Sequence, residues 1–439
     1  MYRTFERRQR SVYQGSLTAQ ELRLLRPLHF SQHFIHFEVA TFRRSALPKY
    51  TAVSYTWGSE NATETIFING CKFSVRPNLW SCLYYLSQAA KSQDYDLGWD
   101  YLWVDAICIN QDDNQEKSAQ VRCMDQTYKN ASCVSVWLGL PFLPEHIQIE
   151  DTSNNPIRTF EVDPYEWVDH WSDLANRPYW SRYWVIQEFL LGRNLWLYCG
   201  CTRMDWSDFQ DLVYREEDIR YNSLGHNTLP SIPLDASAAV PLLMGRSFDK
   251  FPEMPQPFHI LLIQHRNSQC KDPRDRVFAL LGLVSQEERS FLGRCFPDYT
   301  LLERHVLIIT LAHLTQYSSV HHDLRNVTPE SEDIFQGLGV TSKRQRRELL
   351  QSAARIDYIG FKSGAEVLSM LVFHDQLGLD GLSDSVRGSE SNTRASHSPE
   401  SNNRRPWTLE MGLLGAVAGA AAIFWFWNAG QRLRGVAIR

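Results

Sequence analysis

Apolar residues in the first half of the chain follow two kinds of pattern. Residues 102–109 form a nearly unbroken apolar run that is rich in β-branched and aromatic residues. Such runs are typical of strands buried on both faces, as in parallel sheets. Val121, Met124 and Tyr128 then recur at helical spacing, and residues 133–138 are again mostly apolar. The order strand, helix, strand predicts a βαβ unit with a right-handed crossover.

The same kinds of pattern predict elements on both sides of this unit. We expect an entry strand from residue 21 with a turn at Pro27, and then strands at residues 35–42, 50–57, 65–68, 71–75 and 195–198. Asn69-Gly70 between two of these runs predicts a hairpin, because both residues tolerate positive φ. Helices are predicted from about Asn78, and over residues 179–191 between Pro178 and Gly192.

Two further positions predict how helices begin. Asp112 or Asp113 can cap the helix that follows the run at 102–109, because an aspartate oxygen accepts from the first free N–H groups of a helix. Asp272 and Pro273 predict an N-cap and a first helical position before the apolar residues 277–283.

The alternation of apolar runs with helical stripes predicts an α/β fold: an open, mostly parallel, flavodoxin-like sheet with helices on both faces. The chain has 439 residues, too many for one ordinary core. We expect five segments: N-terminal strands at 1–49, the α/β domain at 50–200, a mainly helical region at 201–380, a disordered linker at 381–406 and a transmembrane helix at 407–430.

The transmembrane prediction depends on residues 411–427, which carry no charge. A helix that continues to Gly430 is long enough to cross a hydrocarbon core of about 30 Å. The N-terminus has no apolar signal segment, so we expect a single-pass C-terminal anchor with the body of the protein in the cytosol. A buried alanine-rich helix is the alternative. Gly415 and Gly419 form a GxxxG pattern that favours self-association of two such helices.

Composition excludes several classes of function. The net charge of −5 without a basic region makes nucleic acid an unexpected partner. The nine cysteines are irregularly spaced, as in a reduced cytosolic protein, and Cys199 and Cys201 lack the second pair that a zinc site needs, so no metal is predicted. The chain has no GxGxxG, GxxxxGK[ST] or GxSxG motif, which argues against Rossmann, P-loop and α/β-hydrolase chemistry.

Six ordered blocks carry a family signature. They are YTAVSYTWG (50–58), LWVDAICINQDD (102–113), Glu116 with Gln120-Val121, VWLG (136–139), RPYWSRYWVIQE (177–188) and DPRDRVFALLGL (272–283). Together they resemble the fungal heterokaryon-incompatibility (HET) domain. The resemblance implies a role in non-self recognition and regulated cell death, with a partner protein of the cell-death pathway. The anchor would hold this domain on the cytosolic side of a membrane.

The family is also similar, distantly, to TIR domains, which are doubly wound α/β modules that self-assemble. Some TIR domains cleave NAD at the nicotinamide–ribose bond through a glutamate in a W-C-L-x-E-L helix. Trp184 to Phe189 stand in a similar place, with Val185 where that pattern has cysteine, which implies Glu188 as the catalytic residue. NAD would then be a substrate, and no cofactor is required. The alternative for Glu188 is a surface glutamate paired with Arg182 or Arg193.

The predicted ligand site lies at the carboxyl end of the strands, where open α/β sheets bind ligands. Its candidate residues are Ser54, Trp57, Gly58, Asp105, Asn110 and Asp112. Trp57 can stack on a nicotinamide or adenine ring or belong to the core. Asp105 can participate in the site, or anchor the segment 50–58 by a hydrogen bond, because an unpaired buried carboxylate is unfavourable.

Two functions follow as alternatives. One is an effector that cleaves NAD or a related nucleotide through Glu188. The other is a non-enzymatic, self-assembling module whose clustering at a membrane triggers cell death.

Overall fold

The structure is a computed structural model that describes most of the first 360 residues. It covers residues 12–13, 15–30, 34–58, 61–91, 100–140, 174–200, 202–207, 255–317 and 328–360, with the single residues 209, 239, 242, 324, 366, 369 and 370. The predicted linker at 381–406 and the predicted transmembrane helix at 407–430 lie outside these residues. Within the described ranges, no helix has both the length and the apolar character needed to span a bilayer.

The strands of the described residues form one nine-stranded mixed sheet. They are β1 (Glu21–Phe30), β2 (Ile35–Arg43), β3 (Tyr50–Tyr55), β4 (Glu64–Ile68), β5 (Cys71–Val75), β6 (Tyr101–Trp103), β7 (Cys133–Trp137), β8 (Leu195–Cys199) and β9 (Thr202–Asp205). Their order across the sheet is β5-β4-β2-β1-β6-β3-β7-β8-β9.

The centre and the flanks of the sheet differ in direction. β6, β3, β7 and β8 are parallel neighbours, in the doubly wound order of flavodoxin-like sheets. β1 is antiparallel to both β2 and β6, β4 to β5, and β8 to β9. The prediction of a mostly parallel sheet is therefore correct for the four central strands and wrong for the nine-stranded sheet as a whole. The β1–β2, β4–β5 and β8–β9 pairs are antiparallel because short turns join their strands and reverse the chain, whereas β2 and β4 are parallel.

The Asn69-Gly70 turn shows this most directly. It joins β4 to β5 with φ of +50° at Asn69 and +75° at Gly70, as predicted for a hairpin. The turn predicted at Pro27 is wrong, since Pro27 lies inside β1 next to a bulge in its pairing with β2.

Helices cover both halves of the described chain. They are α1 (Pro77–Lys91), α2 (Asp105–Cys108), α3 (Asn114–Arg122), α4 (Met124–Asn130), α5 (Tyr183–Leu191), α6 (Phe258–Gln264), α7 (Asp275–Phe278), α8 (Gln286–Leu292), α9 (Glu303–Gln316), α10 (Pro329–Gly337) and α11 (Lys343–Ala353). The predicted helix at 179–191 begins as the 3-10 turn Pro178–Ser181, and α5 follows it.

The apolar run at 102–109 is not one strand. β6 ends at Trp103, and α2 follows as a single helical turn in which Cys108 N–H donates to the Val104 carbonyl at 2.7 Å. Ile107 and Cys108 are buried in this turn as deeply as a strand would bury them. A continuous apolar run predicts a segment that is buried on all sides. Both a strand and a helical turn can be buried in this way, so the run does not distinguish them.

Caps start the helices that border the centre. Asp113 caps α3 by accepting the N–H groups of Gln115 and Glu116 at 2.9 and 3.1 Å, which confirms one of the two predicted caps. α7 begins at Asp275, later than predicted, and its N-cap is Arg274 rather than Asp272. Asp272 instead accepts the Arg274 N–H at 3.1 Å and so orders the turn before α7.

The helical region shares one core with the sheet. Tyr183 N–H donates to the Gln269 carbonyl at 2.9 Å, and Gln269 N–H donates to the Ser181 carbonyl at 2.6 Å, so backbone hydrogen bonds tie the start of α5 to residue 269. Phe278 of α7 is buried in the same cluster as the strands. The DPRDRVFALLGL block therefore packs directly on the α/β domain.

Candidate functional site

The carboxyl ends of β3, β6 and β7 meet at one edge of the sheet. β3 lies between β6 and β7, and both of these strands follow it in the chain. The chain therefore passes from β3 to β6 on one side and then crosses to β7 on the other side, and a doubly wound sheet binds its ligand at the carboxyl edge of this point. Ser54 and Trp57 stand at this edge, as the sequence predicted.

Glu188 reaches this edge from α5. The helix is apolar except for Gln187 and Glu188, so it packs flat on the sheet and carries Glu188 inward, where it is 2% exposed. Ser54 Oγ donates to Glu188 Oε2 at 2.5 Å and lies 2.7 Å from the Tyr179 hydroxyl. The Tyr128 hydroxyl, which donates to the Val53 carbonyl at 3.5 Å, also lowers the pKa of the same carboxyl group. The alternative of a surface glutamate is therefore wrong.

Burial raises the pKa of Glu188 from 4.5 to about 7. The Arg182 guanidinium works against this shift and the Asp105 carboxyl adds to it, so both act on the charge of Glu188. No arginine, lysine or histidine of the described residues lies within the 4.0 Å of an ion pair with it. Near neutral pH both protonation states of the carboxyl group are therefore populated, as they are for a catalytic acid or base.

Asp105 is the second carboxyl group of this cluster. Burial raises its pKa above the usual range, against the Arg182 guanidinium. Its Oδ2 accepts from Trp57 Nε1–H at 2.9 Å and its Oδ1 accepts from Ala106 N–H at 2.7 Å, and the Tyr55 hydroxyl also lowers its pKa. The predicted anchor to the segment 50–58 is thus present, through the Trp57 indole.

Arg182 is the cation of the cluster. It donates from Nη1 to the Tyr55 carbonyl at the end of β3, and its charge lowers the pKa of both Glu188 and Asp105. The sequence pattern predicted Arg182 only as a surface partner of Glu188, and it did not single out Tyr179 or Tyr128. The available signal was the block RPYWSRYWVIQE, which places polar side chains within an otherwise apolar segment.

The remaining predicted ligand residues lie at the margin of the cluster. Gly58 is exposed, has φ of +69° and accepts from Arg76 at 3.5 Å, and Arg76 also covers one face of the Trp57 ring at 4.9 Å. Asp112 is exposed, and its N–H donates to Asn110 Oδ1 at 3.3 Å. From this loop, Gln111 is the residue whose side chain reaches Asp105, by donating to its carbonyl at 3.0 Å.

A second buried glutamate, Glu116 of α3, explains another part of the signature. Arg23 Nη1 lies 2.7 Å from its Oε1, and both side chains are almost fully buried. The same carboxylate accepts the N–H groups of Leu17 at 2.9 Å and Asn110 at 2.8 Å. Glu116 therefore joins the N-terminal segment and the loop after α2 to the domain.

Comparison with known proteins agrees with the resemblance. Residues 50–188 match the family model "Heterokaryon incompatibility protein (HET)", from the first residue of β3 to the glutamate of the cluster. The chain is also similar to "Heterokaryon incompatibility protein 6, OR allele" of Neurospora crassa, with 25% identity over 315 residues, which cover 58% of this chain and 45% of that protein. The match thus spans less than half the length of that relative.

No solved structure matches the chain. Residues 50–188, which include the parallel strands β3, β6 and β7 and the part of α5 up to Glu188, are a HET domain.

Proposed function

We propose that this protein is an effector or signalling module of heterokaryon incompatibility, which acts in fungal non-self recognition and regulated cell death. The HET domain at residues 50–188 and the similarity to a Neurospora crassa protein named for heterokaryon incompatibility support this role. The similarity covers 315 residues, more than the domain alone. The proposal therefore includes the helical region that packs on the domain.

The mechanism that we propose is cleavage of NAD through Glu188, in the manner of TIR domains. The observation that supports this mechanism is the buried carboxyl group of Glu188, which has a pKa of about 7 and lies at the carboxyl edge of β3. The guanidinium of Arg182 lies near enough to lower that pKa. Cleavage of the nicotinamide–ribose bond develops positive charge on the ribose, and a carboxylate beside it stabilises that charge. The ribose hydroxyls would take over the hydrogen bonds that Ser54 now donates.

Neighbouring groups would support this reaction. Trp57 offers an aromatic ring at the same edge, and its indole N–H is held by Asp105 at 2.9 Å. Arg182 would attract the pyrophosphate of the dinucleotide and keep part of Glu188 ionised. Asn110 and Asp112 would contribute from the loop after α2.

A non-enzymatic assembly module is the second candidate. The observation that favours it is the 2% exposure of Glu188, whose carboxyl group is covered by Ser54, Tyr128 and Tyr179. In this case the cluster holds α5 on the sheet, and clustering of whole molecules transmits the signal. Self-association, a partner protein of the cell-death pathway and a membrane anchor at 407–430 all belong to this proposal.

Expression of the full chain with Glu188→Gln separates the two mechanisms. Glutamine keeps the shape of the side chain and can still accept from Ser54, so the variant should fold. We expect the wild type to lower cellular NAD and to be toxic, and Glu188→Gln to abolish both effects. Glu303→Gln, at an exposed position of α9, is the matched control and should behave as the wild type.

If folded Glu188→Gln remained fully toxic, the assembly mechanism would be retained and NAD cleavage abandoned.

The proposed membrane anchor is tested by a separate experiment. Full-length protein should resist carbonate extraction from membranes, whereas a chain that ends at residue 405 should be released. Equal partitioning of the two chains would contradict the anchor.

A further inference from the structure

The segment that carries Arg182 is held in place by a residue outside the HET domain. Arg182 forms an isolated parallel bridge with Gln269. The Tyr183 N–H donates to the Gln269 carbonyl at 2.9 Å, and the Gln269 N–H donates to the Ser181 carbonyl at 2.6 Å. The backbone on both sides of Arg182 is therefore fixed by a residue that lies beyond the end of the family match.

Tyr183 extends this attachment into the helical region through its side chain. It is 1% exposed, and its hydroxyl donates to the carbonyl of Gly337, the last residue of α10, at 3.0 Å. Arg276 Nη1 donates to the same carbonyl at 3.2 Å and to the Tyr183 hydroxyl at 3.4 Å. The guanidinium carbon also lies 5.3 Å from the centre of the Tyr183 ring, which is a cation–π contact. Three helices, α5, α7 and α10, thus meet at one side chain.

Gly339 leaves room for the Arg276 side chain. Its φ of +76° lies in the left-handed region, which favours glycine. A Cβ atom at this position would lie 2.9 Å from Arg276 Nε and 3.2 Å from Arg276 Cδ. A side chain at residue 339 would therefore crowd Arg276 at the point where it reaches Tyr183.

α10 also supports the loop that contains Gln269. Arg266 Nε lies 3.2 Å from Asp333 Oδ1 of this helix. Gln336 Nε2 donates to Asn267 Oδ1 at 2.9 Å. Both attachments of residues 181–183, through the backbone of Gln269 and through the side chain of Tyr183, therefore lead to α10.

The position of Arg182 matters because its charge acts on Glu188. The Arg182 guanidinium lowers the pKa of Glu188 and donates to the Tyr55 carbonyl. Among the described residues, it forms no ion pair with Glu188 within 4.0 Å. A charge that acts over a longer distance, without a direct bond, depends on where the backbone holds it. Contacts that fix residues 181–183 therefore influence the charge state of Glu188.

We propose that Arg276 and Tyr183 are positioning residues through which the helical region holds the Arg182 guanidinium near Glu188, a role that rests on the proposed function of Glu188. The site of this protein then extends beyond the residues of the family match. Displacement of Arg276 from Tyr183 would loosen Arg182 and leave a smaller fraction of Glu188 ionised near neutral pH.

Titration of the Glu188 carboxyl group in the full-length protein tests the proposal. Its ¹³C resonance is identified by its absence from Glu188→Gln. Arg276→Gln removes the contacts from the side of α7, and Tyr183→Phe removes only the hydroxyl that binds the Gly337 carbonyl. Each variant should raise the pKa of Glu188 by about 0.5 or more, because Arg182 is then held less firmly near it.

Arg274→Gln, in the same sequence block, is the matched control. Arg274 binds Asp272 and two backbone carbonyls, and none of these contacts involves residues 181–183. This variant should lower the free energy of unfolding without changing the pKa of Glu188.

A second control removes the cation itself. In the Arg182→Gln background, Arg276→Gln should cause no further change in the pKa of Glu188, because the charge that it positions is already absent. This readout separates a positioning role from a general loosening of the fold, which would act in both backgrounds.

Three results would overturn the proposal. They are an unchanged pKa in either folded variant, an equal rise in Arg274→Gln, and a rise that persists in the Arg182→Gln background. Tyr183→Phe keeps the aromatic ring, so the proposal can be decided even if Arg276→Gln does not fold. The titration uses no NAD, so its outcome is independent of the toxicity and NAD measurements that test the proposed function.

Discussion

Two glutamates of the HET domain are buried to the same extent and have opposite surroundings. Glu116 is 0% exposed and Glu188 is 2% exposed. Glu116 lies 2.7 Å from Arg23 and accepts two backbone N–H groups. Among the described residues, Glu188 accepts from the Ser54 hydroxyl and has no cation in an ion pair with it, and burial raises its pKa to about 7.

These different surroundings give the two carboxyl groups different roles. Glu116 holds neighbouring segments together, whereas Glu188 can change its protonation state. A carboxylate that is fully paired stays ionised and holds its partners in place. One that is buried without a close cation is poised between its two protonation states near neutral pH. Burial alone therefore does not identify a functional glutamate, and the identity of its partners does.

Glu116→Gln should have the largest effect on stability. It leaves the Arg23 guanidinium buried without a counter-charge, and breaking one side of a buried ion pair costs about 3–5 kcal/mol. The free energy of unfolding in urea, followed by tryptophan fluorescence, measures this loss. The double variant Arg23→Met, Glu116→Gln should recover part of it. A loss as small as that of an exposed pair would contradict the structural role.

Glu188→Gln should stabilise the protein at high pH, whereas Glu116→Gln destabilises it. Since the folded pKa of about 7 is above the usual value of 4.5, the folded protein binds the proton more tightly than the unfolded chain. The stabilisation from the protonated form is complete below about pH 4.5 and is lost as pH rises through about 7.

Glutamine resembles the protonated form at every pH. The variant should therefore gain up to about 3 kcal/mol over the wild type between pH 5 and pH 8, from a shift of about 2.5 pH units. Urea unfolding at the two pH values measures this difference. The raised pKa of Asp275 is present in both proteins and cancels. A difference that does not change with pH would show that Glu188 is ionised throughout.

Ser54→Ala should have a smaller effect, of about 1 kcal/mol, because it removes one hydrogen bond. That bond stabilises the ionised form, so its loss should raise the pKa of Glu188 further. Carboxyl ¹³C resonances followed through a pH titration report the midpoint. Ser135→Ala, at a buried serine of β7, is the control and should not move it.

Glu38→Gln should have the smallest effect. Its partner Arg26 lies 3.8 Å away, and the two side chains are 50% and 55% exposed. Exposed pairs contribute less than about 1 kcal/mol and are screened by salt. Urea unfolding at low and high salt should show a small difference that shrinks with salt. A large loss of unfolding free energy that does not depend on salt would contradict this expectation. It would mean that the exposed pair Arg26–Glu38 contributes as much as the buried pair Arg23–Glu116.

Local chemistry explains which parts of the fold could be predicted. Asn69-Gly70 determines its hairpin because the two residues adopt positive φ, and Asp113 determines the start of α3 because its side chain bonds to the next residues. The run at 102–109 was assigned wrongly because burial on all sides is common to a strand and a helical turn. The antiparallel pairing of β1 with β6 was missed because pairing between distant strands leaves no local pattern.

The site was predicted only in part for a related reason. Ser54, Trp57 and Asp105 could be placed at one edge because parallel strands end together. Tyr179 and Arg182 come from a turn whose position depends on how α5 packs, so their approach to Glu188 could not be read from spacing.

By itself, the sequence determined the parallel strands β3, β7 and β8, the Asn69-Gly70 hairpin, the Asp113 cap of α3 and the presence of a HET domain. Only the tertiary structure decided which buried glutamate receives a counter-charge. Glu116 meets Arg23 across 93 positions of the chain, and Glu188 meets Ser54 across 134. A carboxyl group acquires its charge state from the groups that packing brings within a few ångströms, and those groups are distant in the sequence.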